Sequence, residues 1–163
     1  MMDALYSFGE WLETTRLTEW LISWPHTLPL MSSLHYFSVF LLMGMIVIFH
    51  LRVLGLAGRR QSITQVAEEL FPWMWTGFGL AVLSGFLMFT PGAGEFFKTS
   101  FFLPKLFTIL LGFVAVLLIR RNVRKWDQAP VPPTGAKLAA LISLLIWITA
   151  LFTAVEVGQY ACQ

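Results

Sequence analysis

The chain is short of charge, short of cysteine, and short of the patterns that mark soluble chemistry. Among 163 residues there are eleven Lys and Arg and nine Asp and Glu, 12% in all. That is about half the share in an ordinary soluble domain. With 57% hydrophobic residues, so few charges cannot clothe a water-facing surface. A conventional soluble enzyme, a nucleic-acid binder and a disordered chain are thereby excluded. The single cysteine, Cys162, lies near the C-terminus and cannot form an intrachain disulfide. It leaves no thiolate set for iron–sulfur or zinc. No CxxCH motif occurs, so covalent c-type haem is excluded. Three histidines and one cysteine do not make a convincing zinc site. No Ser-His-Asp arrangement and no Gly-rich phosphate loop can be read, and no catalytic residue is assigned. Gly92-Ala93-Gly94 reads as a turn between two spans. Met31, Met43 and Met45 are spaced as packing residues rather than as a Cu(I) site.

What the chain has is apolar length. It reads as an all-α integral membrane protein, a four-helix bundle preceded by an amphipathic surface helix, in a single domain over 1–163. Residues 1–24 mix Asp3, Glu10, Glu13, Arg16 and Glu19 with apolar residues at near-helical spacing. That pattern fits a helix on the membrane surface and not a signal peptide. Pro25 stops it. The spans fall at about 31–57, 70–90, 101–119 and 137–159, the second entered through Pro72. No alternation of β-barrel type occurs. Gly77, Gly79, Ser84 and Gly85 in the second span read as small residues for close helix packing.

Orientation follows from Lys and Arg in short loops. Arg52, Arg59 and Arg60 flank the first connection, and Arg120, Arg121, Arg124, Lys125 and Lys137 the third. Only Arg16 and Lys98 lie on the other side. Eight against two places both basic loops in the cytoplasm and both termini in the periplasm of a bacterial inner membrane.

Ionisable groups inside spans then become the main clues. His35, Lys105 and Glu156 each fall about a turn from the outer surface, while His50 and Arg52 fall at the inner end. Lys105 has three readings: snorkelling, an ion pair with Glu156, or a cationic site for a carboxylate or propionate. Arg52 ends its span and meets lipid phosphate. His35 and His50 are fifteen residues apart on one helix. That is about 22 Å along the axis with an offset of about 60°. Helical b-type cytochromes separate histidines in this way to hold a haem near each surface, and imidazole is a strong iron ligand. Met88 for His35 and Met74 for His50 are candidate second ligands, with His26 in the outer loop as another. A pair of chains sharing haem is the further alternative. Against this stand methionines as gap fillers and histidines bonded to backbone or lipid.

The stretch Leu34-His35, Gly44 and Leu51-Arg52-Val53-Leu54-Gly55-Leu56 resembles an uncharacterised family of bacterial four-helix membrane proteins, a domain of unknown function. The likeness continues through Pro72-Trp73, Gly77-Phe78, Ser84-Gly85, Phe102, Lys105-Leu106, Ser143, Trp147 and Gly158-Gln159-Tyr160. It covers nearly the whole chain and implies the four-helix fold. Two positions depart from the family pattern: His50 stands where an acidic residue is usual, and Gln159 where an arginine is frequent. A looser similarity, carried by His35 and Lys105, is to HemJ-type and CopD-type membrane proteins; the HemJ likeness implies b-type haem. The expected function is therefore a small inner-membrane b-type haem protein for electron transfer or redox sensing. His35 and His50 are its iron ligands and Lys105 its propionate partner. The alternative is a structural or accessory subunit of a larger membrane complex. The expected partners are the lipid bilayer and a homo-oligomer or larger complex, with no nucleic acid.

Overall fold

The computed structural model describes residues 2–58, 60–128 and 131–160, with residues 2 and 158–160 by backbone alone. Arg59 and Cys162 lie outside the described residues, as does the side chain of Gln159. All regular structure among the described residues is helical. The order is α1 (Met2–Glu13), α2 (Arg16–Ser23), α3 (Thr27–Leu54), α4 (Ile63–Phe89), a 3-10 turn (Thr90–Gly92), α5 (Ala93–Lys98), α6 (Phe102–Trp126) and α7 (Thr134–Tyr160). Among the described residues, four stretches are long and apolar enough to cross a membrane: Thr27–Leu54, Ile63–Lys98, Phe102–Trp126 and Thr134–Val157. The chain is a multi-pass membrane protein. Its four long helices run up and down, with α3 on α4, α6 on α7 and α3 on α7 in close contact and α4 against α6 more loosely packed.

Each long helix buries one seam at alternating spacings of three and four. On α4 it runs through Ile63, Ala67, Leu70, Met74, Gly77, Ala81 and Ser84. On α6 it is Phe102, Lys105, Ile109, Gly112, Val116, Ile119 and Val123, and on α7 Ala136, Ala140, Ser143, Trp147, Ala150 and Val157. This is the spacing of four-helix bundles. Lipid is as apolar as a helix face, so association relies on close packing, and small seam residues permit it. The centre is filled by Ile46, Phe49, Val53, Phe71, Val116 and Trp147, among others.

The helices outrun the apolar stretches that mark them in the sequence. α4 begins at Ile63, nine residues before Pro72, because Ser62 and Gln65 form a capping box. Pro72 is exposed within the helix and does not start it. α6 continues through Arg120 and Arg121 to Trp126, since arginine is a good helix former. Gly92-Ala93-Gly94 is not a plain turn: it links the 3-10 turn to α5.

The two loops α3–α4 and α6–α7 share one end, the basic end. There Asp127, just past α6, accepts hydrogen bonds from the backbone N–H of Ile63 and Thr64, both at 2.8 Å. One carboxylate so caps the start of α4 from another helix. Arg52 donates from Nε to the Gln61 carbonyl at 2.8 Å and closes the α3–α4 loop. Burial pushes the Asp127 carboxyl up, but the bonds from Thr64 and Ile63 and the charge of Arg52 outweigh it and hold it below its usual range. Stabilisation from a depressed carboxyl is complete above the ordinary Asp pKa of about 3.9 and fades as pH falls through the folded value. Asp127→Ala is expected to cost about 1 kcal/mol at neutral pH. Melting curves taken from pH 6 downward should show the variant and the native chain converging at acid pH; a constant gap would contradict the assignment.

The other end is capped by protein. The N-terminal segment is helical as expected, but in two pieces, broken at Thr14–Thr15, where Thr15 starts α2. Both pieces dock on the bundle. Leu12, Thr18 and Leu21 are buried, while Phe8, Trp11, Trp20 and Trp24 face outward. Gly9 of α1 meets the backbone of Gly94, and Glu13 Oε1 accepts from the Gly94 N–H at 2.8 Å. Beneath lies an aromatic layer in which Phe89 and Phe102 stack at 5.1 Å.

Candidate functional site

His35 is delivered by α3 into a seat built by α4. Its Nδ1 lies 3.0 Å from the Ala81 carbonyl and 3.2 Å from Ser84 Oγ. A carbonyl only accepts, so Nδ1 carries the hydrogen and donates it. The Ser84 hydroxyl gives its own hydrogen to the Leu80 carbonyl at 2.6 Å, which leaves its oxygen free to accept from the same ring. The tautomer is thereby fixed, and Nε2 of the neutral ring keeps its lone pair. Metal-ligating histidines are oriented in this way, by a bond from the other ring nitrogen to backbone or carboxylate.

Gly85 makes the seat possible. A Cβ there would lie 2.9 Å from His35 Cε1. Gly85→Ala should therefore displace the ring and destabilise the protein by about 1–3 kcal/mol. Gly79→Ala on the same helix meets nothing within 4 Å and should be neutral or stabilising. Melting temperatures of the two variants check this difference; equal effects would contradict it.

Lys105 sits on the buried seam of α6, between Phe102 and Ile109, and its side chain is half-buried. It forms no ion pair among the described residues, where the pairs are Lys98–Glu95 and Arg124–Glu68. The expected pairing with Glu156 is not formed. Glu156 is exposed and precedes seam residue Val157 by one position, about 100° round the helix. Equal depth does not give equal direction. A seam position also argues against snorkelling into lipid.

His50 is fully enclosed. Its Nδ1 donates to the Ile46 carbonyl at 2.7 Å, and its Nε2 is buried without a hydrogen-bond partner. Phe49 packs edge-on against it at 5.6 Å. The nearby core leaves a void of only about 10 Å³, lined by Leu42, Ile46, Phe71, Met74 and Trp147 among others. That barely admits one water. Ser143 Oγ and Trp147 Nε1 on α7 are likewise enclosed without a partner.

The remaining candidates are placed by the register of the helices. Gly77 faces Leu42, and Gly85 faces His35. In that antiparallel register Met74 comes level with residue 45, about 7 Å along the axis from His50. Met88 lies about one turn beyond His35. His26 is exposed at the start of α3, about 13 Å along the axis from His35. Arg52 serves the α3–α4 loop as described.

The arrangement is thus a half-buried imidazole, its Nδ1 held by Ala81, at the same end of the bundle as Lys105, which forms no ion pair among the described residues. It suits a ligand that joins an electrophilic or metal centre to a carboxylate. His35 presents one ring nitrogen with no hydrogen-bond partner among the described residues, whereas Nε2 of His50 is buried without a hydrogen-bond partner. Sequence reasoning missed the seat of Ala81, Ser84 and Gly85. Its signal was the run of small residues in the second span, which reads equally well as ordinary packing.

No curated protein and no solved structure matches the chain, so the looser likeness to HemJ-type and CopD-type proteins rests on His35 and Lys105 alone. A family model does match, over residues 8–160. The chain belongs to DUF6644, a family of unknown function.

Proposed function

We propose that this protein binds b-type haem at the capped end of its bundle, with His35 as an axial ligand, and serves electron transfer or redox sensing. The observation that carries the reading is the bond from His35 Nδ1 to the Ala81 carbonyl, which leaves Nε2 free to ligate. Bound haem supplies one-electron redox chemistry at its iron. The chain's own residues hold and orient. Ala81 and Ser84 fix the ring, Gly85 gives it room, and Lys105 offers its ammonium to a carboxylate. No other span carries a histidine, and Met88, about one turn from His35 in the α3–α4 register, or a residue of another copy of the chain would supply a second ligand. The concentration of Lys and Arg at the basic end supports a cytoplasmic placement of that end in a bacterial inner membrane, with both termini periplasmic.

A second reading, an accessory subunit without a cofactor, draws on Phe8, Trp11, Trp20 and Trp24, which α1 and α2 turn outward at the capped end. Haem extraction from protein purified out of haem-replete cells separates the two. The first reading expects haem in a fixed ratio to chain. A folded preparation that carries none, and takes up none when haemin is added, would retire it.

A further inference from the structure

Between the basic-end halves of α4 and α6 lies a crevice of about 480 Å³, within the range of about 300–1,000 Å³ typical of small-molecule sites. It is lined by Glu68 from α4, by Arg120, Arg121 and Arg124 from α6, and by an apolar floor that includes Ala67 and Leu117. It takes no part in the site at His35. It opens where the bundle is most loosely packed, between two neighbouring helices that both read as spans.

Its charges are arranged for an anion. The Arg120 guanidinium rests 4.4 Å from the centre of the Phe71 ring, a cation–π contact that fixes it while leaving its N–H donors free. Arg124 reaches Glu68 only at 4.0 Å, and both are exposed; such a pair is weak. Arg121 forms no ion pair among the described residues. Three guanidinium groups against one carboxylate leave a net charge of about +2. Guanidinium pairs with phosphate through two parallel hydrogen bonds.

We propose that this crevice binds anionic phospholipid and prefers a lipid carrying two phosphodiesters. Two phosphodiester charges match the net charge of the walls. Leu117 of the floor belongs to the apolar stretch of α6, against which acyl chains lie. A free phosphate meets the same guanidinium groups but gains nothing from that floor. Basic pockets between membrane helices at one surface are suited to such headgroups.

The test uses the full-length chain, delipidated in detergent and titrated with diphosphatidylglycerol, phosphatidylglycerol, phosphatidylcholine and, separately, inorganic phosphate. Retained lipid is counted by native mass spectrometry. Affinity should fall in the order of the lipids as given, and more steeply at high salt for the first. Arg121→Gln and Arg124→Gln should each weaken diphosphatidylglycerol about fivefold. Glu68→Gln should strengthen it. Lys125→Gln lies outside the crevice and should change binding by about twofold at most. Arg120 is left intact because it packs on Phe71. Retention of phosphatidylcholine equal to that of the anionic lipids would overturn the proposal. So would inorganic phosphate binding as tightly as lipid, which would make this a free-phosphate site. A double variant of Arg121 and Arg124 that melts like the native chain and binds as well, or a Glu68→Gln chain that binds no tighter, would overturn it too.

Discussion

His35→Ala is expected to lose essentially all haem, while His50→Leu keeps it. The two histidines are equally good ligands in isolation, so the difference lies in their surroundings. His35 is half-buried and its Nδ1 hydrogen is held by Ala81. His50 is fully buried, with Phe49 edge-on against its ring and Nε2 without a hydrogen-bond partner. Leucine at position 50 forfeits the bond to the Ile46 carbonyl but fills a similar space, so the core survives. Haem content and melting temperature are measured together on both variants. Loss of haem from His50→Leu with retention by His35→Ala would invert the assignment.

Gly9→Leu is expected to release α1 from the bundle without unfolding the four long helices. A Cβ at Gly9 would lie 2.8 Å from the Gly94 nitrogen and 2.9 Å from the Ala93 carbonyl carbon. Those are backbone atoms of another helix, so no rotamer change relieves the clash, and α1 must move. Movement also breaks the bond from the Gly94 N–H to Glu13. A charge-assisted bond of this kind is worth about 1.5–3 kcal/mol. Added to an overpacking cost of similar size, the opening equilibrium of α1 shifts by roughly a hundredfold or more. Hydrogen exchange should therefore accelerate over residues 2–13 and stay unchanged in α3 and α6. Gly44→Leu, where a Cβ meets nothing within 4 Å, serves as the control. Equal exchange in the two variants would show that α1 is not docked at Gly94.

The four spans were legible because a bilayer leaves few alternatives: long apolar stretches must be helices that satisfy their own backbone. Their ends were not, because loss of hydropathy is not loss of helix. Glu68 and Glu69 sit inside α4, and the box of Ser62 and Gln65 that starts it was present in the sequence. The site was legible in half. A histidine in a span announces itself, and so does a lysine. What seats His35 belongs to α4, and only the antiparallel register brings Ala81, Ser84 and Gly85 to it. The pairing of Lys105 with Glu156 failed for a related reason. Depth can be counted along a sequence, but direction around a helix depends on which face becomes the seam. Arg120, Arg121 and Arg124 read from the sequence only as topology charges, since the other wall of their crevice is contributed by Glu68 and Ala67 of α4.

The central claim is that His35 presents Nε2 to haem iron. Its most direct test is the dithionite-reduced minus oxidised visible spectrum of the purified full-length chain, recorded beside His35→Ala. The account expects a b-type α-band in the native protein and its loss in the variant, with the helical content of the variant unchanged by circular dichroism. A featureless spectrum from well-folded native protein of haem-replete cells, or a band that survives in His35→Ala, would contradict it.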